Sequence, residues 1–225
     1  MQVLMAEQAD RPQVIQVYRE GWLASVSSRM REIAGPFLEQ IDYAARWPQE
    51  LQTSNWRTYK IVDGDKIVGV GVAEIRGHNT PDPYGHFKYF YILPGYKGKG
   101  SAKAMLVKAC DWLIENNITR MDDGLIVSDP NKAQWMDFWV RHGAVLKSCN
   151  VETTAYVING EKLLLRLIGV CVPNLHEFRA RLRGELPQCF SALKDIEAII
   201  YSDTAYRGWE NLGAILRQYE AAASR

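Results

Sequence analysis

The run Tyr91-Ile92-Leu93-Pro94-Gly95-Tyr96-Lys97-Gly98-Lys99-Gly100-Ser101-Ala102 constrains this chain more than any other segment. An apolar strand pattern ends at Pro94, and a loop with three glycines opens directly into a helical pattern at Ser101. Glycine lets a backbone approach a ligand closely, and the first N–H groups of a helix have no intrahelical partners. With the positive end of the helix dipole they form an anion site suited to a pyrophosphate.

Two well-known phosphate loops do not fit. The Walker pattern requires a Lys before the Ser/Thr that opens the helix, whereas Gly100 directly precedes Ser101. The dinucleotide fingerprint requires three glycines spaced two and then three apart; Gly95, Gly98 and Gly100 are spaced otherwise. Asp122 and Asp123 stand near the distance at which that fingerprint places its acid, a coincidence without the glycines.

The elements around the loop follow from periodicity. Residues 2–6 read as a strand. Asp10-Arg11-Pro12 starts a helix whose apolar face is Val14, Ile15, Val17, Tyr18 and Trp22. A second helical stretch reaches about residue 45 through Met30, Ile33, Phe37, Leu38 and Ile41, broken or kinked at Gly35-Pro36. Strands over 56–62 and 66–75 flank Asp63-Gly64-Asp65, a hairpin turn. After a polar loop at 77–85, an aromatic-rich strand at 86–93 leads into the glycine loop. A helix over 102–115, a buried strand at 125–127 and a helix over 130–142 ending at Gly143 come next. A strand over 144–158 turns at Asn159-Gly160 into another over 161–168.

Beyond Val172 the pattern becomes helical. Asn174-Leu175-His176-Glu177 is a capping start. Phe190, Leu193 and Ile196 recur at helical spacing, and Trp209, Leu212, Leu216 and Tyr219 form a stripe on a last helix from Asp203. The expected domains are therefore 1–170, a core, and 171–225, a helical C-terminal extension packed on that core or on a partner, a second copy of the chain included.

Ile92, Pro94 and Tyr96, followed by Lys97-Gly98-Lys99-Gly100-Ser101-Ala102, resemble the acyl-CoA loop of the GCN5-related N-acetyltransferases (GNAT). The departure is Lys97, where that family favours Gln or Arg; the charge is kept and the planar fork lost. The element order over residues 1–160 is similar to the family's as well. The resemblance implies an α/β fold with a mixed, mostly antiparallel central sheet flanked by helices. It implies an acetyl-CoA-dependent transferase moving an acetyl group to an amine by direct attack. Ile92 would then contact the pantetheine arm through its backbone, and Gly98, Gly100, Ser101 and Ala102 would take the pyrophosphate. Lys97 and Lys99 would add charge, and Asn131 would contact pantetheine; Asn131 equally suits a helix cap.

Catalysis in such a family needs a base for the amine. The slot six residues before Ile92, often Glu in the family, holds His86, which becomes the candidate base, with Glu74 second. An ordinary imidazole titrates near 6.5, so a rate limb at about pH 6 to 7 is expected. The slot of the family's general-acid Tyr holds Trp139, whose indole is no acid at neutral pH and reads as a core aromatic. The leaving thiolate would then take its proton from water or from another group, such as Ser128 or Tyr91. This substitution, Gly143-Ala144 where relatives carry Gly-Phe, and the C-terminal helices suit a different class: a non-catalytic structural or interaction protein such as a phage particle component, residing in a virion. A nucleic-acid-modifying relative is a third reading.

Composition narrows these. A net charge of +1 argues against nucleic acid and membrane surface as partners. Arg179, Arg181 and Arg183 read as a solvated helix face rather than a site for an acidic partner. The four cysteines, at 110, 149, 171 and 189, have no paired spacing, so zinc or disulfide roles are not expected; Cys110 and Cys171 read as buried small hydrophobes. No signal-like start or membrane-length apolar run is present, and a cytoplasmic setting is expected.

Overall fold

A computed structural model describes residues 1–25, 35, 38–39, 41–126, 132–146, 151–158 and 161–189. In chain order these form β1 (Gln2–Met5), α1 (Arg11–Ser25), β2 (Gln52–Thr53), β3 (Trp56–Asp63), β4 (Lys66–Arg76), β5 (Tyr84–Ile92) and α2 (Ser101–Glu115). There follow β6 (Met121–Ile126), α3 (Lys132–Arg141), β7 (Val145–Leu146), β8 (Val151–Ile158), β9 (Glu161–Val172) and α4 (Leu175–Arg183). One sheet runs β1-β3-β4-β5-β6-β9-β7, with β2 alongside β3 and β8 alongside β9. The β5–β6 pair is parallel and the other pairs are antiparallel. This is the mixed, mostly antiparallel sheet flanked by helices that the sequence predicts.

Each sheet face has its own core. On one, α1 and the segment before β2 bury Tyr18, Trp22, Tyr43, Trp47 and Trp56 against β4 and β5. Gly21 brings α1 flush with the sheet: a Cβ there would lie 2.4 Å from the Tyr91 Cβ. Arg11 fixes the neighbouring segment by donating to the carbonyls of Pro48, Ala44 and Trp47 at 3.3–3.5 Å. The other face is covered by α2, α3 and α4. Met105, Leu106, Ala109, Cys110 and Leu113 of α2 are buried there, spaced three and four apart as a helix stripe must be.

α4 belongs to this second core. Leu175, Phe178 and Leu182 are fully buried, and Phe178 stacks on Trp139 with centroids 5.3 Å apart and planes 13° from parallel. The Asn174 side chain accepts from the Glu177 N–H at 3.1 Å, closing the cap that the sequence announces. Asp111 of α2 receives Arg179 at 3.1 Å and Arg183 at 2.8 Å, so two of the three arginines tie α4 to α2 rather than facing solvent. Arg181 pairs within its own helix, with Glu177 at 2.9 Å.

Several expectations are corrected. β9 continues past residue 168 to Val172 because β6 pairs with its distal half, from Ile126↔Leu167 to Met121↔Val172. Cys171 is only half-buried at that end, whereas Cys110 is fully enclosed. Most of the second helical stretch, Ser128, Asn131, the Asn159-Gly160 turn and residues 190–225 lie outside the described residues. Among the described residues no helix is long and apolar enough to cross a membrane, and no cluster could hold a metal ion.

Candidate active site

β5 carries the candidate site because it parts from β6 and bulges against β4. Against β6 it pairs only at Gly85↔Met121 and His86↔Asp122; β5 then runs on to Ile92 and β6 to Ile126 with no further pairing between them. Against β4 the register slips: Val70 faces Tyr91 but Val72 faces Lys88, so Tyr89 and Phe90 stand opposite Gly71 alone. Tyr89 takes φ +54°, an uncommon value for a tyrosine. Such a bulge bends its strand and re-aims side chains. The result is a seam between β5 and β6, open toward the glycine loop.

At the end of the seam lies a cavity of about 300 Å³. Of the residues predicted for a CoA site, Ile92, Gly98, Lys99, Gly100, Ser101 and Ala102 line it together. Lys97 is exposed beside them and outside the lining. Tyr96, Lys103, Gln134, Trp135 and Phe138 also line it, and sequence reasoning missed them in this role. The aromatic density of α3 was visible, but nothing local shows that Trp135 and Phe138, one turn apart, face the loop.

The cavity suits a pyrophosphate. Gly98 and Gly100 adopt φ +77° and +78°, where side chains are strained, and a Cβ on either would project into open space rather than into protein. Gly100 is the N-cap of α2 and offers no capping side chain, so the N–H groups of Ser101, Ala102 and Lys103 are directed outward without a protein acceptor among the described residues. Lys99 extends over the Tyr96 ring at 5.4 Å. Cations, N–H donors and the helix dipole therefore meet beside an apolar wall of Ile92, Trp135 and Phe138.

His86 sits where the strands part, on the α1 face of the sheet. In the same cross-strand row are Trp56 of β3, Glu74 of β4 and Asp122 of β6. The ring Nδ1 lies 2.8 Å from the Asp122 carbonyl oxygen, which can only accept, so Nδ1 carries the hydrogen and Nε2 is the basic nitrogen. Burial, with the Arg76 charge adding, lowers the His86 pKa to about 4. The imidazole is thus neutral throughout the physiological range, and a base at this position would give a rate limb near 4 rather than at pH 6 to 7. Glu74, the second candidate base, is engaged by Lys88 at 2.9 Å and Arg76 at 3.0 Å. These bonds hold its pKa below the usual carboxylate value against the opposing effect of burial, and they occupy the carboxylate.

Asp123, the first β6 residue past the parting, figured in the sequence only as a coincidence of spacing. It retains accessible surface as a residue, yet lies deep enough that burial raises its pKa to about 8. Surface access combined with depth is what the floor of a cleft provides. Its Oδ1 accepts from the Gly124 N–H at 2.7 Å. Trp139 is buried beneath α4, a core aromatic as expected, and Tyr91 packs under α1 against Trp22 and Tyr18.

The model of the acetyltransferase (GNAT) family matches residues 17–143, more than half of the sequence. The chain belongs to the GNAT acetyltransferase family. It is an N-acetyltransferase that moves an acetyl group from acetyl-CoA to an amine. No curated protein matches the sequence. Among solved structures it is similar to a probable acetyltransferase from Staphylococcus epidermidis, with TM-score 0.54 and 11% identity over 76% of this chain and 96% of that one. A GNAT-family acetyltransferase from Staphylococcus aureus aligns with TM-score 0.51 and 16% identity over 77% and 98%. One from Streptococcus pneumoniae gives 0.50 and 17% over 75% and 97%. At these identities the likeness speaks for the fold, and it spans nearly the whole of each of those chains.

Proposed function

We propose that this enzyme performs acetyl transfer in the seam between β5 and β6, with the loop cavity as the CoA site and His86 as the base. One observation carries the reading: the strands part after a single two-residue pairing, and the gap leads to an uncapped helix N-terminus. When bound, acetyl-CoA supplies a thioester carbonyl activated toward an amine. The N–H groups of Ser101, Ala102 and Lys103, with Gly98 and Gly100 clearing the approach, would hold its pyrophosphate. Lys97 and Lys99 add charge-assisted contacts at the rim. The backbone of Ile92 and the side chain of Asn131 would meet the pantetheine arm. His86 Nε2 accepts the amine proton. Asp123, whose carboxyl keeps its proton below about pH 8, is the proton donor that Trp139 cannot be.

The same reading keeps 171–225 as a helical extension of a catalytic core and places the enzyme in the cytoplasm.

The test exploits helix electrostatics. A carboxylate in the first turn of a helix is compatible with the dipole, so Ala102→Glu leaves α2 intact while placing an anion where the pyrophosphate belongs. This variant is cleaner than a replacement of Gly100, whose φ of +78° would strain any side chain. Calorimetry should show acetyl-CoA affinity falling at least tenfold in a folded A102E protein. Affinity equal to that of the unmodified chain would remove the loop from the site.

A further inference from the structure

We infer that Arg76 makes the acceptor site selective for amines that also carry an oxyanion, a carboxylate or a phosphate, rather than for polyamines. The inference rests on the active-site reading above and names the acceptor class for that site.

Arg76 ends β4 on the α1 face, two residues beyond Glu74 and opposite Tyr84. Its Nε donates to Glu74 Oε2 at 3.0 Å, while its side chain remains 41% exposed. Among the described residues neither terminal amino group of the guanidinium has a partner within hydrogen-bond distance. A guanidinium pinned at Nε and open at its outer edge is oriented to receive two oxygens at once.

The surrounding charges favour the same guest. Glu74 is the one carboxylate that Arg76 and Lys88 share, which leaves this trio with one positive charge in excess on the β4 side of His86; on the β6 side Asp122 pairs with Arg120 at 3.6 Å. Lys88 is further occupied over the Trp56 ring, 4.2 Å from its centroid, and is less free to turn toward a ligand. The field of Arg76 reaches His86, Lys88, Tyr89 and Asp123. Burial sets the direction of the pKa shift at all four; the Arg76 charge adds to it at the first two and opposes it at the others. A polyamine would bring two or more further cations into this field. An amine tethered to an oxyanion balances the excess charge. The same positive field favours the neutral form of the acceptor amine, the form that can attack.

Arg76 is two residues along β4 from Glu74, the cross-strand partner of His86, and such diagonal neighbours lie about 7–8 Å apart. An acceptor with its amine near His86 can therefore place an oxyanion near Arg76 while spanning only a few bonds.

The experiment compares kcat/KM for a short amino acid, its uncharged amide, an aminoalkyl phosphate and spermidine. Calorimetric binding of each compound to the protein without acetyl-CoA is measured in parallel. Either oxyanion-bearing amine should exceed the amide and spermidine by tenfold or more, and the better of the two identifies carboxylate or phosphate as the natural group. Arg76→Gln should reduce that ratio to within about threefold, and Arg76→Lys, which keeps the charge, should restore part of it. The inference is overturned if the amide or spermidine is preferred, if Arg76→Gln leaves the ratio intact, or if no oxyanion-dependent binding appears in either assay. Failure of Ala102→Glu to weaken acetyl-CoA binding would instead strike the loop reading, whatever happens at Arg76.

Discussion

His86 and Asp123 occupy neighbouring strands at the parting of the sheet, and burial shifts them in opposite directions. The histidine, lowered to about 4, is a base available above that pH. The aspartate, raised to about 8, is an acid available below that pH. Catalysis that needs the first unprotonated and the second protonated has a bell-shaped profile with limbs near 4 and 8. His86→Ala should lower kcat at least tenfold and remove the acid limb. Asp123→Asn, which keeps the Oδ1 acceptor for the Gly124 N–H, should remove the alkaline limb. Stability carries the same signs. The unfolded chain protonates His86 below its ordinary 6.5 while the fold does not, so stability present above 6.5 is lost as pH falls toward 4. Asp123 ionises in the unfolded chain above its ordinary 3.8, so its contribution is full below 3.8 and lost as pH rises through about 8. At about 1.4 kcal/mol per pKa unit, the Asp123 effect is the larger of the two. Rate profiles of the two variants that keep both limbs would take these residues out of the chemistry.

Among the elements, α4 shows how a helix outside the matched residues 17–143 can hold the middle of the molecule. Phe178 lies flat on Trp139 and is fully buried. Removing a ring from such a site commonly costs about 3–5 kcal/mol. Phe178→Ala should lose that much in denaturant unfolding, whereas Asp111→Ala should cost about 1 kcal/mol or less, since its pairs with Arg179 and Arg183 are partly solvated. Equal losses in the two variants would show that the ion pairs, not the stack, fasten the helix. The cap of α4 was legible in the sequence because Asn174 and Glu177 form a local signal. The hairpin of β3 and β4 was legible for the same reason, through Asp63-Gly64-Asp65. The seam was not, because which strand β5 abandons is decided by pairing between residues 36 apart, such as His86 and Asp122. The bulge was equally silent: Tyr89 adopts a positive φ without the glycine that would have marked it. The loop glycines announced the cavity that Gly98 and Gly100 line, while the roles proposed for Arg76 and Asp123 depend on charges that only the fold assembles from separate strands.

For the whole molecule, the open structural question is what the residues after α4 do. Cutting the chain at Val172 would remove Leu175, Phe178 and Leu182, all fully buried, and uncover Trp139. Fully burying such side chains is worth roughly 1.5–3 kcal/mol each, so that truncation should yield a poorly soluble or much less stable domain. It therefore cannot isolate the role of the stripe formed by Trp209, Leu212, Leu216 and Tyr219 in the sequence. The informative cut falls after Cys189, whose N–H donates to the Arg141 carbonyl at 2.8 Å and ties the chain to the end of α3. A chain ending there keeps α4 and loses the stripe. If the stripe packs on its own core, the shortened protein should melt at a lower temperature with its mass per particle reduced only by the deleted residues. If the stripe packs on a second copy, light scattering should show the assembly falling apart, at a concentration set by the full-length dimer's affinity. Unchanged melting together with an unchanged assembly state would show that the stripe covers neither surface, and the packed-extension reading would then be wrong.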